Sequence, residues 1–202
     1  MLHKLLLMSG IAASLLYVAM NIFVPMYFDG YCIADQTVSE LSAIGAPTRS
    51  LWVPLGFIYS LLTLAFGWGV WQTGGHNRPL RIAGVLLFID GVFSLYWPPM
   101  HLRGAVFSLT DTLHIVWSII TVMLMMLSIG FAAAGLGRRF RLYSIITLVV
   151  LVLFGTVTGL DAPLIEQNLP TPWIGVWERI SIAAFMLWVA AFAIILMRSQ
   201  PD

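Results

Sequence analysis

Charge is what this sequence has least of. Asp, Glu, Lys and Arg make up 9% of the 202 residues, where a soluble domain carries roughly 25%. A chain so poor in charge cannot keep a folded surface wet, which excludes an ordinary soluble domain. The net charge of +1 gives no basic field, so no nucleic-acid partner is expected. Cys32 is the only cysteine, which excludes a disulfide within the chain. The histidines are His3, His76, His101 and His114, with no Cys/His tract of zinc-finger spacing. The apolar run 5–24 could imitate a signal peptide. It is longer than the roughly 7–15-residue core of one and no clear A-x-A site follows, so a retained first helix is expected.

What is present is apolar sequence, 60% of the chain, gathered in runs. Six of these, 5–26, 51–71, 82–97, 112–134, 144–160 and 173–197, approach the length of a membrane span, for which about 20 helical residues cross a hydrocarbon core of ~30 Å. The third and fifth are short and are expected to begin in their flanking loops. The fold class that follows is an all-α integral membrane protein of six transmembrane helices, forming one domain over 1–202. Tyr27, Trp52, Trp97, Trp173 and Trp177 would mark one interface, and Trp71 and Tyr143 the other.

Basic residues set the orientation. Seven of them (Lys4, Arg78, Arg81, Arg138, Arg139, Arg141, Arg198) fall on one side and three (Arg49, Arg103, Arg179) on the other, so the first side is expected to be cytoplasmic and to hold both termini. Asp29, Asp35, Glu40, Asp111, Asp161, Glu166 and Glu178 lie at or beyond the opposite interface; Asp90, inside the third run, and Asp202, at the C-terminus, do not. The polar chemistry is therefore expected outside. The cytoplasmic turns 73–79 and 135–139 are short and Gly-rich. In the first outer loop Thr37-Val38-Ser39-Glu40 reads as a capping box opening a short interfacial helix, stopped by Gly45 and Pro47. Ser108-Leu109-Thr110-Asp111 is a second capping box, opening the fourth helix. The third outer loop is expected over 161–171, with Pro172 at a helix start.

The segment from Ser39 to Pro47, with Asp111 and His114 opening helix four and Glu178-Arg179 opening helix six, resembles the bacterial membrane family called domain of unknown function 998. The resemblance covers nearly the whole chain. It implies six transmembrane helices in a bacterial cytoplasmic (inner) membrane, with no established activity and no catalytic residues to carry over. A looser comparison is with ceramidase-like membrane hydrolases, which hold zinc with histidines, an aspartate and a serine. The four histidines here include no H-x-x-x-H pair on a late helix, which argues against membership.

Asp90 is the sharpest single residue. It sits ~13 Å along its helix from Arg81, where an ionised, unpaired acid is costly. It is expected to be a neutral acid bonded to Ser94 or to a Ser or Thr of another helix, or else to reach His114 or Arg179. Asp111 and His114, three apart, share a helix face, as metal ligands or as a carboxylate orienting an imidazole. A metal such as zinc would draw on His114, Asp111, His101 and Glu178. The bland alternatives are a helix cap for Asp111 and a loop position for His101. Glu178 and Arg179 are adjacent and need partners elsewhere; Asp111, Asp161 or Glu40 would suit Arg179. Ser39 and Ser42 share a face, but no general base stands at a recognisable spacing, so a nucleophilic serine is not expected. Met123 to Met126 reads as helix core or lipid contact, and the basic turn 138–141 as a partner for anionic headgroups.

Three functions fit. One is an outward-facing hydrolase of a lipid or amphiphile, built on Asp111, His114 and Glu178. Another is a proton-coupled carrier using Asp90 and His114. The third is an accessory protein whose polar residues only hold helices together. In all three, His114, Asp111, Glu178 and Arg179 are expected to converge in a pocket partly roofed by the segment around Ser39 and Glu40.

Topology gives the first test. Reporter fusions at His76 and Arg138 are expected to read cytoplasmic and fusions near Asp35, Arg103 and Glu166 external, with Cys32 open to a membrane-impermeant maleimide in intact cells. An external signal at Arg138 would invert the arrangement.

Overall fold

A computed structural model describes residues 1–199; Asp202 and the chain end expected on the cytoplasmic side lie outside the described residues. Among the described residues the chain is all-helical, with an isolated bridge between Ile44 and His101 as its only extended pairing. The six α-helices are α1 (Leu2–Phe23), α2 (Arg49–Gly74), α3 (Arg78–Ser94), α4 (Leu109–Gly135), α5 (Arg138–Glu166) and α6 (Ile174–Arg198). Five are long and apolar enough to cross a membrane; α3, at 17 residues, is the other.

Helix ends follow local chemistry. As the short third and fifth runs foretold, α3 and α5 begin inside their turns. Asn77 caps α3 by accepting from the Leu80 N–H at 3.2 Å, and Pro79 stands in its first turn, where it needs no N–H. α5 is longer than its run at both ends and takes in Asp161 and Glu166, so the third loop is shorter than expected. α5 continues past Pro163, which lies inside it, to Glu166. α3 ends at Ser94, which releases Trp97 and Pro98 from the helix. Both capping boxes form, Thr37 with Glu40 and Ser108 with Asp111.

Each helix packs on its chain neighbours, and α6 returns to α1 to close the ring. The closest approach is between α2 and α3. A methyl on Gly84 would collide with the Trp71 backbone, and one on Gly67 with the Phe88 backbone. Small residues let helix backbones touch in this way where no hydrophobic force draws helices together. Near the chain-terminal end, Phe66, Phe140, Trp188 and Phe192 form an aromatic core, with Trp188 4.9 Å from Phe192 and its indole N–H on Ser144 at 2.9 Å. At the opposite, loop-rich end, Met20, Val24, Val38, Leu41 and Trp52 make a second apolar cluster. The segment expected as an interfacial helix is a five-residue 3-10 helix, Val38–Ser42, and it is buried rather than laid on the surface.

Overpacking a tight helix contact costs about 1–3 kcal/mol or more. Gly84→Leu is therefore expected to lower the melting temperature in mild detergent by several degrees. Gly155→Leu, at a position with open space around it, is expected to leave melting unchanged. Equal melting of the two variants would contradict the α2–α3 contact.

Candidate functional site

The 3-10 helix Val38–Ser42 is the hub of the loop-rich end, because its successive residues bond to different elements. The Val38 N–H donates to Glu178 of α6 at 2.5 Å. Ser39 Oγ lies 3.1 Å from His114 Nε2 of α4. Glu40, with no exposed surface, meets Arg103 of the 95–108 loop at 2.8 Å from Nε and 3.1 Å from Nη2. Leu41 and Ser42 offer their carbonyls to Thr48 and Arg49 at the start of α2. The segment before it is held against α6 by a close backbone approach. The Gly175 N–H donates to Ala34 O at 2.9 Å, and any side chain at 175 would strike the carbonyls of Ile33 and Gln36.

Among the expected site residues, His114 is best defined. Its Nδ1 is 2.7 Å from the Pro98 carbonyl and 3.1 Å from the Trp97 indole nitrogen. A carbonyl can only accept and an indole N–H can only donate, so Nδ1 serves one of them at a time; the shorter contact, to Pro98, assigns the proton to Nδ1, and Trp97 then meets the imidazole edge-on, centroids 5.7 Å apart. With the proton on Nδ1, Nε2 is a lone-pair acceptor aimed at the Ser39 hydroxyl. Ser39, which has no candidate partner at a recognisable spacing in the sequence, meets this nitrogen from 75 positions away.

Asp111 and His114 share a face of α4 as expected, but Asp111 turns to the loop. It accepts from the His101 backbone N–H at 2.7 Å, from His101 Nδ1 at 2.9 Å, and from both the N–H and hydroxyl of Ser108 at 2.9 Å. Among the described residues Arg179 bonds no carboxylate. Arg103 already occupies Glu40, and Arg179 donates instead to the carbonyls of Ile33 and Gln36 and, at 2.6 Å, to the Tyr31 hydroxyl. Burial is the largest influence on Tyr31 and leaves it pushed up to about 12, so it stays a neutral phenol and donates to Thr37 O at 2.7 Å.

Asp111, His114, Glu178 and Arg179 thus reach the same end of the bundle, and no hydrogen bond between any two of them is among those described; His114 and Glu178 are joined through residues 38 and 39. The four-ligand metal set is not assembled: among the described residues no three His, Cys, Asp or Glu side chains group as a metal would need. His101 and Asp111 form a pair, while His114 faces Ser39 and Glu178 faces a backbone N–H. Asp90 is also corrected. It is buried, at 1% exposure, yet neither Ser94, His114 nor Arg179 reaches it, and both carboxylate oxygens lack a partner among the described residues.

Breaking a buried ion pair by removing one partner costs about 3–5 kcal/mol, because the other charge is left behind. Arg103→Met is expected to destabilise the protein by that order in a detergent melt, and Arg103→Lys to recover only part of it, since an ammonium cannot span both Glu40 oxygens. A neutral Arg103→Met would show that the pair does not organise this end.

A family model described as a protein of unknown function, DUF998, matches residues 11–195, which include every residue of this cluster. No curated protein and no solved structure matches the chain.

Proposed function

We propose that this chain, which belongs to the DUF998 family, is a multi-pass membrane enzyme of acyl transfer. Ser39 is its nucleophile and His114 its general base, acting on the ester or amide of a lipid or other amphiphile. All six helices cross the inner membrane, both termini are cytoplasmic, and the loop-rich end faces outward. The orientation is supported by the seven-to-three split of basic residues. The cytoplasmic Arg138, Arg139 and Arg141 would meet anionic headgroups.

One observation carries the chemistry: Ser39 Oγ at 3.1 Å from His114 Nε2, with Nδ1 locked on the Pro98 carbonyl. That is the geometry of an activated hydroxyl, with a carbonyl in the orienting place a carboxylate often holds. Ser39 Oγ attacks the acyl carbonyl as Nε2 takes the hydroxyl proton. The tetrahedral adduct collapses to acyl-Ser39, and the imidazolium returns that proton to the departing alcohol or amine. Water or an acceptor alcohol, deprotonated by the same nitrogen, then releases the acyl group and restores the serine. The surroundings suit a substrate arriving from the bilayer, since Val106, Phe107 and Leu109 flank Ser108 with exposed apolar side chains.

A fluorophosphonate probe tests this on the detergent-solubilised protein. Labelling is expected at Ser39, absent in Ser39→Ala, and slowed by about 10²–10⁴-fold in His114→Gln. Melting curves establish that both variants are folded. Unchanged labelling of folded Ser39→Ala, or no labelling of the wild-type protein, would overturn the assignment.

A further inference from the structure

Two turns inward from His114, three buried oxygens on α3 and α4 have no hydrogen-bond partner among the described residues, both of Asp90 and Oγ1 of Thr121; the other such oxygens, Asn21 Oδ1 and Ser181 Oγ, lie on α1 and α6. Asp90 is 1% exposed and Thr121 3%. They stand on adjacent antiparallel helices, and two contacts fix the register. Trp117 Nε1 donates to Phe93 O at 3.0 Å near one end, and Asn77 Nδ2 donates to Gly135 O at 2.8 Å at the other. One turn inward from the Phe93–Trp117 contact, α3 carries Asp90 and α4 carries Thr121.

Thr121 departs from its neighbours in kind. Thr63, Thr73, Thr147 and Thr158 each donate to the carbonyl four residues earlier, the usual way a helical threonine satisfies itself. Thr121 does not. A proton on Asp90 would add one donor but would leave its other oxygen and Thr121 Oγ1 as unmatched as before, since no hydrogen bond joins the two residues. All three atoms can act as oxygen ligands, and a hard cation is the partner that oxygens alone can satisfy. One carboxylate balances one positive charge; a divalent ion would leave excess charge inside the bundle and would demand a larger oxygen shell.

We infer that Asp90 and Thr121 form a binding site for a small monovalent cation, sodium in the first instance, between α3 and α4. The site is separate from Ser39 and His114 and does not depend on their role. The alternative occupant is a single internal water beside a neutral acid.

Melting of the purified full-length protein in mild detergent separates the two. Chloride salts of sodium, potassium and N-methylglucamine are compared at equal ionic strength. Sodium is expected to raise the melting temperature in a saturable manner, as a ligand of the folded state must. The rise is expected to vanish in Asp90→Asn, and Thr121→Val to raise the half-saturating sodium concentration by roughly tenfold or more. Binding of radiolabelled sodium to the wild-type protein and to Thr121→Val gives the same comparison without the charge-changing variant, should that one fail to fold. Identical melting in all three salts without radiolabel binding would leave only the internal water and overturn the site. So would a sodium shift that persists in Asp90→Asn.

Discussion

The Glu40 carboxylate is fully enclosed, and the loop-rich end of the bundle is arranged around the need to satisfy it. The Thr37 N–H and hydroxyl, Gln36 and the Arg103 guanidinium all converge on its two oxygens. Arg103 cannot reach it unless the 95–108 loop folds inward, and that same fold brings Met100 to bond Ile44 and places Pro98 over α4. The course of two loops is thereby tied to one buried charge. An enclosed carboxylate is weak evidence of net stability, since desolvation offsets much of the attraction, but it strongly disfavours any arrangement that leaves it unpaired.

The imidazole of His114 inherits its orientation from that loop. Trp97 and Pro98 are free of helix only because α3 ends at Ser94, and the Pro98 carbonyl then fixes which ring nitrogen carries the proton. The 3-10 helix presents Ser39 to the other nitrogen while its neighbours Val38 and Glu40 are held by Glu178 and Arg103. The serine and the histidine are thus each fixed by contacts from more than one element, the serine through its neighbours Val38 and Glu40 and the histidine through Pro98.

The middle of the bundle follows a different constraint. Gly67 and Gly84 let α2 and α3 touch along their backbones, which leaves α3 little room to rotate. Asp90 is held facing inward by that contact rather than by a polar partner of its own. An acid in the interior without a bond, level with a threonine of α4 that declines its usual helical bond, is an unbalanced arrangement of a kind that interiors seldom tolerate.

What the sequence determined by itself is what acts within a few residues. Apolar runs specified the helices, and the spacing of Thr37 with Glu40 and of Ser108 with Asp111 specified two caps, because a cap is a contact across one turn. The shared face of Asp111 and His114 was legible for the same reason. The acidic bias of one end was legible too, since composition needs no coordinates. Partners were not. Arg103 entered the sequence reading only as a topology signal, yet it, and not Arg179, takes Glu40. Ser39 had no base in view because His114 lies 75 positions on. The bonding of Asp90 was expected from its cost in lipid, and its lack of a partner depended on how α3 is turned. Those outcomes rest on helix rotation and loop course, which come from packing between distant segments, and no spacing along one segment encodes them.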